Sequence, residues 1–460
     1  MPPRLTAPTL GIILTIACCA PAQGDLRLSQ VLGDHMVLQR QKPINVWGHA
    51  RAGERVTVRF AGSTGAATAG EHGLWSLQLP ARKASTKPRS LTVMSGKDKL
   101  VLKDVLVGEV WLCSGQSNMA RTMDRTQHKR EEIPKADHPH VRLLSSGGRG
   151  GWTPCTPKTV AGFSGVGYHF GQVLRRKLKI PIGLISASKG GTQIEPWTPK
   201  VGTQTFPALK KQAAGGDGGL FKKFIQPLAP MTMRGIIWYQ GESNALKGEA
   251  AIYTDRQSAL VAGWRNVFGQ DDLSFYYVQL APFTYVKQFS RRNKNLTTQS
   301  LPRFWEAQTA CLDVISNSGM VVVTDITGNV GDIHPANKLD VGHRLARWAL
   351  AKNYGHKKLV FSGPLYRSME TRGRQVILSF RYGAGGLRSL DGKTLREFTI
   401  AGRDRKFVPA QARIRGDTVI VSAKGIDAPT AVRFGWHETA TPNFGNTAGL
   451  PASPFRTDDW

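Results

Sequence analysis

Ser117 lies in the stretch Cys113-Ser114-Gly115-Gln116-Ser117-Asn118-Met119, directly after an apolar run. A serine on a tight glycine-containing turn between a strand and a helix presents its hydroxyl for nucleophilic attack. Its own N–H can face the oxyanion that forms. Gly-x-Ser also arises by chance, and an ordinary turn or N-cap serine accounts for this one as well. Three further stretches follow apolar runs. Gly190-Gly191, within Ser186 to Trp197, allows backbone to approach a ligand closely and to aim an N–H at it. Gln240 and Asn244, within Trp238-Tyr239-Gln240-Gly241-Glu242-Ser243-Asn244, carry side-chain amides that can donate to a developing oxyanion. Gly331-Asp332-Ile333-His334-Pro335 offers a histidine as general base, with an aspartate beside it to orient the ring and stabilise the imidazolium. Plain turn residues satisfy each stretch taken singly. Their order is the stronger signal: serine turn, glycine loop, amide loop, then Asp-x-His.

Those residues need a scaffold, and the middle of the chain supplies one. Apolar runs at Val105 to Leu112, Ile180 to Ile185, Gly235 to Tyr239, Leu273 to Leu280 and Met320 to Thr324 each end in a polar or glycine-rich turn. Helix-like segments lie between them, including Tyr168 to Lys177 and Ala250 to Phe268. After His334, Asn337 to Leu350 reads as a helix with Val341, Leu345 and Trp348 on one face. Strands alternating with helices predict a parallel sheet covered on both faces, with ligands beyond the carboxyl ends of its strands. Short β-rich runs with glycines between them occupy Asp25 to Val105 and predict a small β-sandwich. The texture returns from Leu359 onward, where 376–380, 398–400 and 418–421 read as strands. The division that follows is 1–22, 23–105, 106–358 and 359–460. A chain of 460 residues exceeds a single ordinary core, since cores stop growing at about 250–300 residues.

Residues 1–22 read as an export signal, with Arg4, an apolar stretch from Leu10 to Cys19, and Ala20-Pro21-Ala22 as a small-x-small cleavage site. The apolar stretch is too short to span a bilayer, and no later run is long enough, so no membrane insertion is expected after cleavage. Cys18 and Cys19 fit a lipoprotein anchor poorly. Cleavage leaves Cys113, Cys155 and Cys311. A Cys113–Cys155 bridge and a free buried set are both open. No Cys-x-x-Cys or His/Cys cluster suggests a metal, and no cofactor is expected. The 62 lysines and arginines against 32 acidic residues give a net charge of +30. That charge can be a solvated surface or an attraction for acidic glycans, and no nucleic-acid motif accompanies it.

Taken together, these segments resemble the sialate O-acetylesterase family, a branch of the SGNH (GDSL-like) hydrolases. Gly108 to Met119 is similar to the family's first block almost residue for residue. Trp238 to Asn244, Asp332 to Pro335 with Asn337-Lys338, Gly190-Gly191-Thr192, Pro442-Asn443-Phe444 and Gly449-Leu450-Pro451 are similar to later ones. The resemblance implies an α/β hydrolase domain of the three-layer SGNH type with flanking β-rich domains. It implies a secreted or periplasmic serine esterase that removes O-acetyl groups from a sugar or glycan through an acyl-serine intermediate. Ser117 would be the nucleophile and His334 the base, with Asp332 behind it. The oxyanion hole would use the Ser117 N–H, Gly190 or Gly191, and either Gln240 or Asn244. Three departures stand out. Asp332 is two residues before the histidine, where much of the wider superfamily has three, leaving Asp325 or a backbone carbonyl as alternatives. Ala120-Arg121 replaces an acidic residue and Lys189 an aromatic one. An acetyl esterase for another polysaccharide, a catalytically inactive carbohydrate-binding surface protein, and a polyanion-binding protein are the competing expectations. Oligomeric state has no signature in the sequence.

Overall fold

The computed structural model describes residues 26–145, 151–383 and 385–460. The segment read as an export signal lies outside these residues. A parallel sheet organises the middle of the chain, built from β1 (Asp98–Gly115), β2 (His138–Ser145), β3 (Ile182–Ser188), β4 (Gly235–Tyr239), β5 (Ser274–Val278) and β6 (Ser318–Val321). Their spatial order is β2-β3-β1-β4-β5-β6, with every neighbouring pair parallel. The order reverses at β1, so the crevice beyond its carboxyl end is the expected ligand site of such a sheet. Thr153–Cys155 adds an antiparallel edge beside β2.

Parallel strands buried on both sides read as continuous apolar runs, and all five residues of β4 and of β5 are buried. Side chains along β5 alternate between two helix layers. Tyr276 meets Trp348 of α6 (Leu339–Asn353), which packs with α2 (Gly165–Leu178). Tyr277 points the other way and donates its hydroxyl to the Gln308 carbonyl of α5 (Ser300–Val314). That helix packs with α3 (Ala250–Phe268). The architecture is therefore α/β with additional β-rich regions.

β1 is shared between two sheets. Its first half pairs antiparallel with Ser85–Ser95, and Val37–Gln39 lies parallel to Leu106–Gly108. The boundary at 105/106 falls inside this strand. The N-terminal strands and the α/β region also bury their apolar residues in one continuous core. A second core, running from Val376 to Phe455, belongs to the C-terminal β region. Cys113, Cys155 and Cys311 are buried and unbridged. Among the described residues no helix is long and apolar enough to cross a membrane.

Candidate active site

β1 ends at Gly115 with φ +137°, a conformation that side chains rarely adopt. A Cβ there would stand 2.2 Å from the Tyr239 carbonyl oxygen, so glycine alone lets the end of β1 turn against β4. The Gln116 N–H then donates to that same oxygen at 2.9 Å. The chain enters the short helix α1 (Ser117–Ala120) with Ser117 as its first residue, half-buried. Neither its hydroxyl nor its N–H has a partner among the described residues.

The glycine loop leaves β3 beside this turn, held by the Lys189 N–H on the Gly115 carbonyl at 3.1 Å. A Cβ on Gly190 would lie 3.3 Å from the Ser117 Cβ, so backbone passes directly over the serine. The Gly190 N–H also has no acceptor among the described residues. Gly191 takes φ +69° and faces open space.

The amides of Gln240 and Asn244 are fully buried and spent internally. Gln240 Nε2 faces the oxygens of Gln116, Thr192 and Asn244, while its Oε1 accepts from the Tyr253 hydroxyl. Asn244 Nδ2 donates to Glu195 and Glu249, each at 2.9 Å, and its Oδ1 accepts the Ile194 N–H. An amide nitrogen carries two hydrogens, so neither side chain has a donor to spare here.

His334 is brought to the same rim. Asn118, immediately after the serine, donates from Nδ2 to the carbonyl of Ile333, immediately before the histidine, at 3.0 Å. Asp332 Oδ1 accepts the His334 backbone N–H at 2.8 Å and lies 3.8 Å from its ring Nδ1, beyond hydrogen-bond length. Asp325 is held by both arms of Arg344 at 2.6–2.7 Å, and no hydrogen bond joins it to His334 among the described residues. Burial holds the His334 pKa below the ordinary histidine value, Arg121 and Lys338 push the same way, and Asp332 opposes them. The ring is therefore neutral near pH 7, the form that accepts a proton.

Two residues in this cluster had no role in the sequence reading. Glu242 and Lys338 are buried on either side of Asn118. Both sit inside the matching blocks, but residue type gives no sign that they are buried. A cleft of about 490 Å³ adjoins the glycine loop, lined by Leu246, Lys247, Glu249, Phe289, Arg292 and Asn293. Lys247 Nζ reaches Gln193 Oε1 at 2.7 Å and ties the cleft to that loop.

Comparison with known proteins gives a consistent result. A family model described as carbohydrate esterase, sialic acid-specific acetylesterase, matches residues 107–350. Sialate O-acetylesterase of Rattus norvegicus is 27% identical, with 97% of each chain covered. That of Homo sapiens is 27% identical over 97% of this chain and 95% of its own. The crystal structure of a carbohydrate acetylesterase from Xanthomonas citri superimposes with a TM-score of 0.86. It is 34% identical, covering 95% of this chain and all of the other.

Proposed function

The chain belongs to the sialic acid-specific acetylesterase family of carbohydrate esterases, and from that premise we propose that Ser117 and His334 remove O-acetyl groups from a sugar through an acyl-serine intermediate. It is a carboxylic ester hydrolase. The observation that carries the mechanism is the hydrogen bond from Asn118 to Ile333, which ties the serine turn to the histidine loop across 215 positions of sequence.

The Ser117 hydroxyl attacks the acetyl carbonyl while neutral His334 takes its proton. The tetrahedral oxyanion is met by the N–H groups of Ser117 and of Gly190 or Gly191, a contribution of about 3–4 kcal/mol per donor. Collapse expels the sugar oxygen, which takes the proton back from His334. Water activated by the same ring then attacks the acyl carbonyl and releases acetate and free Ser117. Asp332 stabilises the imidazolium from nearby, its approach to Nδ1 tightening as catalytic contacts do on substrate binding. Gln240 and Asn244, with their hydrogens already engaged, support the loops that carry the backbone donors. The helix–sheet–helix layering supports an SGNH-type arrangement. Export belongs to the same reading, supported by the pattern of residues 1–22.

A sialic acid is the first substrate in this reading. The family description and the sialate O-acetylesterase relatives support it, as do Lys247 and Arg292 lining the cleft, where a carboxylate could be met. A second reading, an acetylated polysaccharide of another kind, draws on the higher identity to the Xanthomonas carbohydrate acetylesterase. Acetate release from O-acetylated sialic acid and from acetylated xylan separates the two. Preference for the sialate, abolished in Ser117→Ala, is expected; strong preference for the neutral polymer overturns the sialate assignment.

A further inference from the structure

Asn118 commits both of its amide hydrogens and its oxygen at once. Its two amide hydrogens go to Glu242 Oε1 and to the Ile333 carbonyl, and its oxygen accepts Lys338 Nζ at 2.6 Å. Asn118 is 1% exposed, Glu242 3% and Lys338 not at all. Glu242 Oε2 has no hydrogen-bond partner among the described residues. Lys338 Nζ also lies over the face of Tyr239, 5.4 Å from the ring centre. Burial pushes the Glu242 carboxyl up and the Lys338 amine down to about 7, the cost of holding an acid and an amine out of water, and an apolar trio of similar volume would pack without that cost. What the buried polar pair adds is a fixed orientation for one amide. That amide spans the residue after the nucleophile and the residue before the base.

We propose that Glu242, Asn118 and Lys338 form a buried clamp that sets the spacing between the Ser117 hydroxyl and the His334 ring. They are positioning residues, and the proposal rests on the assignment of Ser117 and His334. Each member comes from a different part of the fold: Asn118 from α1, Glu242 from the turn after β4, and Lys338 from the residue preceding α6. A clamp of this kind acts on turnover rather than on substrate affinity. A displacement of the order of 1 Å between reacting groups costs roughly 10²-fold in rate.

The test is kcat and KM for an aryl acetate, with thermal unfolding as the check on folding. Asn118→Ala is expected to lower kcat by about 10²-fold with KM within about twofold. Glu242→Leu, which offers no oxygen to Asn118, is expected to fall with it, and Glu242→Gln, which does, to recover most of the loss. The Asn118→Ala/Glu242→Leu protein should be no worse than Asn118→Ala alone, since groups acting as one unit are not additive. Where an Ala or Leu variant does not fold, the near-isosteric Asn118→Asp and Glu242→Gln carry the same comparison, with a loss expected only for the first. A folded Asn118→Ala protein with wild-type kcat, a change confined to KM, or additive losses would overturn the clamp. Full activity in Ser117→Ala instead removes the nucleophile assignment, whatever the clamp variants do.

Discussion

A histidine accepts a serine's proton only while its ring is neutral, so with His334 as the proposed base the charges around it set the pH at which turnover begins. Burial, Arg121 and Lys338 lower its pKa, and Asp332 raises it. Taking away the Arg121 charge removes a lowering cause. The acid limb of kcat/KM for Arg121→Gln should therefore move to higher pH. Asp332→Asn removes the raising cause, so its limb should move to lower pH, with the rate cut by about 10–10²-fold. Coincident limbs in the three pH–rate profiles would contradict His334 as the base. Ser117 and His334, the proposed pair, stand out in the sequence because each follows an apolar run and sits in a turn. Lys338 does not: a lysine opening an apolar-faced helix reads as a surface residue. Its burial arises only when α1, the turn after β4 and α6 meet. The internal engagement of the amides of Gln240 and Asn244 was equally invisible, because Glu195, Glu249 and Tyr253, which engage them, are distant in sequence or silent in type.

The helix pair α2 and α6, packed on one face of the sheet, supplies a measurable acid sensitivity. His169 of α2 is fully buried, neither ring nitrogen has a hydrogen-bond partner among the described residues, and His343 of α6 lies edge-on at 6.2 Å. Burial, with the neighbouring His343, His128 and Arg176, pushes its pKa from 6.5 down to about 3. Between those values the unfolded chain binds a proton that the folded one does not, so stability is lost as pH falls below 6.5. Urea unfolding across that range should show the loss, and His169→Leu should lose less of its stability over the same interval. Identical slopes would place the acid sensitivity elsewhere. Among the elements, the strand at Gly235 to Tyr239 and the helix at Ala250 to Phe268 match their sequence patterns residue for residue. β2 was missed because only Val141 to Leu144 of its eight residues are buried and its first half is polar. α5 was missed although Leu301, Phe304, Trp305, Gln308 and Cys311 fall at helical spacing, with a glutamine breaking the apolar face.

The C-terminal β region has its own core, yet it is joined to the segment that holds the histidine loop. Glu438 accepts the Val286 N–H on its carboxylate and the Phe283 N–H on its carbonyl, capping the start of α4 (Tyr285–Phe289). The same segment holds the histidine loop, with the Thr284 N–H on the Val330 carbonyl and Gln288 Nε2 on the Gly331 carbonyl. Glu438→Ala is expected to cost about 1–2 kcal/mol in urea unfolding, as lost caps do, and to lower aryl-acetate turnover several-fold. Unchanged turnover with lowered stability would confine Glu438 to a structural part. Such joins between distant regions leave no trace in local pattern, and neither does the sharing of β1 between two sheets. Local pattern does reveal the alternation of strands and helices, and with it the strand ends where residues 117 and 334 are proposed to meet. Their meeting is the central claim, and covalent labelling with a fluorophosphonate, followed by peptide mapping, tests it most directly. A single adduct on the peptide containing Ser117 is predicted, formed about 10²-fold more slowly in His334→Ala. An adduct on another residue, or an unchanged rate without His334, would contradict the account.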